Sequence, residues 1–213
     1  MERSVIVPAV LVLSLLLTQP LYTAESKETK RVLVLYGENK AHPAHELTDQ
    51  GIRAVFGSSP LFDVQLYLEY LDESRFGGAG HSRTVAYYLR RKYANIKIDA
   101  IITVYPSAIA FLMSEEGNIF PGVPIVASQV PRDTAEDLER SPLRQCVTGV
   151  ITGDNSHGVL DTALRLRPGT RHVALVAGVT PNDFWSEQFL RNALRPYSET
   201  LRVIDLTKLP MQD

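Results

Sequence analysis

The sequence contains a single cysteine, Cys146, among 213 residues, so no disulfide bond can form within the chain. Positive charge is not in excess either, since 22 Lys and Arg residues face 24 Asp and Glu residues and the net charge is -2. Proteins that hold a phosphate backbone need a basic surface. We therefore expect no nucleic-acid partner.

Sequence motifs of the common catalytic sites are missing as well. No serine lies in a GxSxG turn, and the sequence has neither an HExxH pair nor a glycine-rich phosphate loop. His42, His45 and Glu46 offer three potential metal ligands within five positions, but no cysteine or further histidine lies near them, and Pro43 places them in the irregular first turn of a helix. Exposed histidines at a helix start are the simpler interpretation, so we predict no metal, no cofactor and no catalytic residue.

The first two dozen residues form a long uncharged segment, SVIVPAVLVLSLLLTQPLYTA, from Ser4 to Ala24. It is typical of a signal peptide, with a cut after Ala24, and at about twenty residues it is also long enough to stay as a membrane anchor. Both interpretations export the rest of the chain. We predict a signal peptide or anchor over 1–24, a linker over 25–30, and a location that is periplasmic or membrane-anchored facing the periplasm.

Beyond the linker, short apolar runs alternate with longer amphipathic stretches. Runs such as RVLVLY and AIITVY predict buried strands, and the stretches between them predict helices. This alternation is typical of an α/β fold in which a doubly wound parallel sheet is covered by helices on both faces. We predict one α/β lobe over 31–152 and a second over 153–213, which has only about two strands and so is predicted to be incomplete.

In such sheets, ligands bind outside the carboxyl ends of the strands. This rule selects the residues that follow the predicted strands, together with an aromatic and an acidic residue of the second lobe. The predicted ligand-binding residues are Tyr36, Gly37, Glu38, Asn39, Tyr105, Pro106, Ser107, Ser128, Gln129, Asp183 and Trp185. Asn182 and Asp183 equally fit a helix cap, and Trp185 equally fits a core position.

The order of several segments resembles the exported sensory domain of bacterial sensor histidine kinases. The most specific segments are EYLDESRF, FPGVPIV and LRLRPGTRHVALVAG, and the resemblance covers about Arg31 to Leu209. It implies the two-lobed periplasmic-binding-protein fold, which is similar to the substrate-binding component of ABC transporters. It also implies that a ligand closes the lobes, that a second membrane helix passes the motion to a kinase, and that the loop from Tyr36 to Asn39 is a cleft wall.

Three functions follow from these observations. The first is a small-molecule-binding sensory domain of a two-component histidine kinase, without the kinase core. The second is a freely diffusing substrate-binding protein of an ABC transporter, and the third is an exported α/β hydrolase. An amino acid, a purine-like ring or a small aromatic would each suit the mixed aromatic and polar candidates, and whether the chain forms a homodimer is open.

Overall fold

A computed structural model describes residues 27–114, 116–153, 155–207 and 209. The predicted signal peptide or anchor over 1–24 lies outside these residues. Among the residues described, no helix combines the length and apolar character needed to cross a membrane.

Strands and helices alternate along the described chain, as the sequence pattern predicts. The strands are β1 (Glu28–Tyr36), β2 (Phe62–Tyr70), β3 (Ala100–Val104), β4 (Ile125–Val130), β5 (Val147–Ile151), β6 (His172–Leu175) and β7 (Arg202–Asp205). The α-helices are α1 (Pro43–Gly57), α2 (Glu73–Phe76), α3 (Ala79–Lys92), α4 (Pro106–Met113), α5 (Arg132–Arg140), α6 (Ser156–Leu166) and α7 (Pro181–Leu194). Strand β1 therefore begins inside the predicted linker.

The strands form two parallel sheets. The first has the order β2-β1-β3-β4-β5, and the second pairs β6 with β7. In the first sheet, chain order reverses between β1 and β3, because the chain moves outward to β2 and then returns to the other side of β1. This reversal opens a crevice outside the carboxyl ends of β1 and β3. The doubly wound α/β fold is confirmed.

Alternating side chains of β1 build the core on both faces of the sheet. Leu33 and Leu35 face one layer of buried residues that includes Leu89 of α3 and Ile109 of α4. Val32, Val34 and Tyr36 face the opposite layer, where Ile52 and Phe56 of α1 pack against them. Successive residues of a strand point to opposite faces, so a strand covered on both sides must be apolar at nearly every position.

The face of α1 differs from the one that the apolar pattern indicates. The apolar spacing of Leu47, Gly51, Ala54 and Val55 in the sequence predicts these residues as the inner face, yet Leu47 is 72% exposed and Val55 is 68% exposed. The buried stripe instead runs through His45, which is only 2% exposed, to Ile52 and Phe56. The buried stripe begins with a histidine, which a search for apolar residues does not count, so the predicted inner face was wrong.

The second unit consists of β6 and β7 with α6 and α7, which contact each other. Helix α7 begins with a capping box: the Thr180 hydroxyl accepts from the Asp183 backbone N–H, and the Asp183 carboxylate accepts from the Thr180 N–H at 2.9 Å. Thr180 is therefore the N-cap, and Asp183 occupies the third position of the helix. The two units also meet directly, because α2 contacts α7.

Candidate functional site

A cleft of about 460 Å³ lies between the first unit and helix α7 of the second. We call it the interlobe cleft. Its lining comes from α2 through α5, from the segment that follows α4, and from α7. The lining residues are Glu73, Ala79, Ser82, Pro106, Ser107, Ala110, Phe111, Ser114, Glu116, Thr134 and Trp185. Its volume falls within the range of small-molecule sites, about 300–1,000 Å³.

Strained backbone is concentrated at the edge of the sheet next to this cleft. Within the described chain, the non-glycine residues with a left-handed backbone are Asp72 (φ 57°), Tyr105 (φ 78°) and Gln129 (φ 57°). Asp72 follows β2, Tyr105 follows β3, and Gln129 lies at the end of β4 beside an irregularity in its pairing with β5. Such conformations cost about 1–3 kcal/mol each and are found most often at binding and catalytic sites.

Gly37 lets the loop after β1 approach the start of α4 closely. A Cβ atom at position 37 would lie 1.9 Å from Ser107 Oγ and 3.2 Å from the Ala108 backbone nitrogen, so any side chain at this position would force its neighbours to move. The Gly37 backbone also joins three strand ends, since its N–H donates to the Val104 carbonyl and its carbonyl accepts from the Glu73 N–H at 3.1 Å. The position of Ser107 in the cleft thus depends on Gly37.

Burial and neighbouring charges shift the pKa values of two groups at this edge. Glu38, immediately after Gly37, is only 3% exposed. Burial raises the pKa of the Glu73 carboxyl, and the charge of Glu38 raises it further, while His81 opposes the shift. Burial and Glu38 also raise the pKa of the Tyr105 hydroxyl. A cation entering the cleft would offset the cost of the buried negative charge on Glu73.

An aromatic cluster lies next to the loop after β1 and consists of Tyr36, Tyr70, Tyr105, His42 and His45. Tyr36 stacks on Tyr70 at a ring distance of 4.9 Å, and His45 lies 4.5 Å from Tyr36 and 5.4 Å from Tyr105. Burial, helped by the charge of His42, lowers the pKa of His45 to about 4, so its ring is neutral at pH 7. Among the residues that the structure describes, no group of three or more His, Cys, Asp or Glu could hold a metal ion.

The structure brings some of the predicted site residues together in the cleft. Pro106, Ser107 and Trp185 line it, although they come from two units, and Gly37 contacts Ser107. The remaining predicted residues do not line it. They are Tyr36, Glu38, Asn39, Tyr105, Ser128, Gln129 and Asp183.

Several of these residues have visible structural roles instead. Tyr36 is fully buried, and its hydroxyl lies 3.5 Å from Asp49 Oδ1. The Asn39 side chain accepts from the Ala41 N–H at 3.0 Å and closes the turn before α1. Ser128 donates to the Thr103 carbonyl at 3.0 Å across the sheet. Ligand contact by these side chains stays a prediction that this geometry does not support.

Sequence reasoning missed Glu73 and Phe111, among other lining residues. Glu73 lies just beyond the carboxyl end of β2, so the strand-end rule applied to that loop would have selected it. Phe111 lies four positions after Ser107 in α4, which places it on the same helix face. No sequence signal indicates Glu116 or Thr134, because they reach the cleft only through the packing of α5 and of the segment after α4.

Comparison with protein-family models gives no match, and comparison with curated proteins finds no significant similarity. Solved structures with the same fold are found at low sequence identity. A conserved domain protein of Vibrio cholerae has a TM-score of 0.61 at 14% identity, over 85% of this chain and 58% of that one. An ABC domain of Streptococcus pneumonia in complex with L-Trp has a TM-score of 0.59 at 14% identity, over 84% of this chain and 57% of that one. A leucine-binding protein of Thermotoga maritima has a TM-score of 0.56 at 14% identity, over 86% of this chain and 50% of that one.

These similarities define the class of fold. The chain has a periplasmic-binding-protein-like α/β fold, the fold that the sequence resemblance implies. It spans 50% to 58% of the length of these three solved structures. At 14% identity, the comparison establishes the fold alone.

Proposed function

We propose that this chain is an extracytoplasmic small-molecule-binding module whose ligand occupies the interlobe cleft. The observation that carries this proposal is the position of the cleft, where Glu73 after β2 and Ser107 after β3 line the same space as Trp185 of the second unit. Doubly wound sheets bind ligands at this reversal of strand order. The strained residues Asp72, Tyr105 and Gln129 at the same edge support it further.

The mechanism is a shift between open and closed arrangements of the two units. Ser107 belongs to the first unit and Trp185 to the second, so a ligand that touches both contributes most when the cleft is closed. Such a ligand favours the closed form only by its difference in affinity for the two forms. The ligand therefore acts as the signal, and the chain itself needs no catalytic residue.

The proposed use of this binding is as the periplasmic input domain of a sensor histidine kinase, held at the membrane by residues 1–24. The order of the segments EYLDESRF, FPGVPIV and LRLRPGTRHVALVAG supports this use. The alternative is delivery of the ligand to an ABC transporter, which the leucine-binding protein and the ABC domain among the similar structures favour. Cell fractionation separates the two, because a chain cleaved after Ala24 and released to the periplasm fits the transporter, whereas an uncleaved, membrane-bound chain fits the sensor.

The first experiment is thermal unfolding of the full chain against amino acids, nucleobases, sugars and aromatic acids. A ligand at about 100 times its dissociation constant stabilises the folded state by roughly 2.7 kcal/mol, which gives a clear rise in Tm. Trp185→Leu is expected to abolish the rise. Phe184→Leu is the matched control, because Phe184 is 56% exposed and does not line the cleft. A rise that survives Trp185→Leu would place the binding site elsewhere.

A further inference from the structure

The side chains that line the interlobe cleft are acidic, hydroxylated or apolar. Glu73 and Glu116 supply two carboxylates, and none of the lining residues is Lys, Arg or His. Basic groups of the first unit near this cleft have other partners: Arg75 pairs with Asp72 at 2.5 Å, Arg90 donates to the Glu116 backbone carbonyl at 2.9 Å, and His81 Nε2 lies 2.6 Å from the Leu71 carbonyl oxygen. A ligand entering the cleft therefore meets negative charge without a lining cation beside it.

The Glu73 carboxylate is held in position, and His81 lies near enough for its charge to act on it. Its backbone N–H donates to the Gly37 carbonyl, which fixes the start of α2 against the loop after β1. Its Oε2 atom lies over Gly77, 3.4 Å from where a Cβ would be. Within the described residues, the carboxylate makes no hydrogen bond and no ion pair. A half-buried carboxylate in this state can still accept hydrogen bonds from a ligand.

The second unit presents an aromatic surface across the cleft. Trp185 lines it, and its ring is held edge-on by Phe189 at 5.9 Å. Phe111 and Ala110 of α4 add apolar surface from the first unit. The face of an indole ring attracts cations, by about 0.5–1 kcal/mol at exposed sites and more where water is excluded.

The start of α4 is one feature that would favour an anion instead, because free backbone N–H groups at a helix N-terminus attract negative charge. Here the first position is Pro106, which has no N–H group. The Ala108 N–H already donates to the Tyr105 carbonyl at 3.1 Å. Few donors are therefore left at this helix start to hold a carboxylate.

We propose that the ligand of the interlobe cleft is an organic cation, an amine with a small apolar or aromatic body. The amine lies against Glu73, and the body lies between Trp185 and Phe111. This inference rests on the proposed function, because it names the ligand class of the same cleft. A cleft of this kind differs from one that binds the carboxylate of an aromatic acid.

Calorimetric titration of the full chain with matched pairs tests the charge preference directly. Tryptamine is compared with indole-3-propionate, and phenethylamine with 3-phenylpropionate, so that each pair shares its ring and differs in the sign of its charge. Tryptophan is added because it carries both charges. We expect the amines to bind and the acids not to bind.

Variants at Glu73 then assign the charge. Hydrogen bonds to charged groups contribute roughly 1.5–3 kcal/mol, which corresponds to about 10- to 100-fold in affinity. Glu73→Gln is expected to weaken amine binding by this factor, whereas Glu73→Asp keeps the charge and retains the preference for amines. Glu199→Gln is the matched control, since Glu199 is exposed and lies outside the cleft lining. Circular dichroism of each variant checks that it folds.

The possible results separate this inference from the proposed function. Binding of the acids or of tryptophan but not of the amines, lost in Trp185→Leu, would overturn the cation inference and leave the cleft as the binding site. Amine binding that is unchanged in Glu73→Gln would also overturn it. If none of these compounds binds and the wider ligand screen gives no Tm shift, the cation inference and the proposed function both fail.

Discussion

Replacing Gly37 with alanine tests the packing that positions Ser107 in the cleft. The new Cβ would lie 1.9 Å from Ser107 Oγ and 3.2 Å from both Ser107 Cβ and the Ala108 nitrogen. The Ser107 Oγ atom has no hydrogen-bond partner to lose, but it is buried, so rotating it away from the new Cβ displaces neighbouring atoms. The two 3.2 Å contacts involve atoms fixed by the backbone, and they remain. Overpacking of this kind costs about 1–3 kcal/mol, which is the destabilisation we expect.

Urea unfolding of the full chain, followed by circular dichroism, measures this cost. Ser107→Ala alone is expected to be nearly neutral, because it removes a hydroxyl that has no partner. In the double variant with Gly37→Ala it should recover about 1 kcal/mol, since the shortest contact is gone. Gly51→Ala is the matched control: nothing lies within 4 Å of its new Cβ in α1, so we expect a gain of about 0.5–1 kcal/mol.

An unchanged urea midpoint for Gly37→Ala would refute the close approach of the β1 loop to α4. Equal destabilisation in the single and double variants would instead show that Ser107 Oγ does not limit the space at position 37. In either case the described position of Ser107 in the cleft would need revision.

Two further predictions concern buried polar groups of the first unit. The pKa of His45 is about 4 in the folded chain against 6.5 in the unfolded one, so unfolding takes up a proton between these values. The free energy of unfolding should therefore fall by on the order of 3 kcal/mol as pH drops from about 7.5 to 4. This fall should be smaller in His45→Asn and unchanged in His157→Gln, the control at an exposed site. Urea midpoints across this pH range that are equal for His45→Asn and the parent would contradict the prediction. Tyr93 donates to Glu69 at 2.6 Å in the core, so Tyr93→Phe should cost about 1.5–3 kcal/mol in the same assay, whereas equal stability to the parent would argue against the bond.

The strand-end rule predicted the place of the cleft better than its lining. It selected Pro106 and Ser107, which line the cleft, because both closely follow a buried strand, and that position depends only on local pattern. It included Tyr36 because Tyr36 ends β1. Yet Val32, Val34 and Tyr36 share one strand face, and α1 covers that face. Because side chains alternate between the two faces of a strand, the Tyr36 ring lies in the core with the two valines.

By itself, the sequence determined the order of strands and helices and hence the doubly wound sheet. Apolar runs and helical periodicity are local properties, and a parallel sheet covered on both faces is the arrangement that buries them. Tertiary structure alone decided that Glu73 faces Trp185 across the cleft. These residues lie far apart in the chain, and they meet because α2 packs against α7, a contact that no spacing in the sequence encodes.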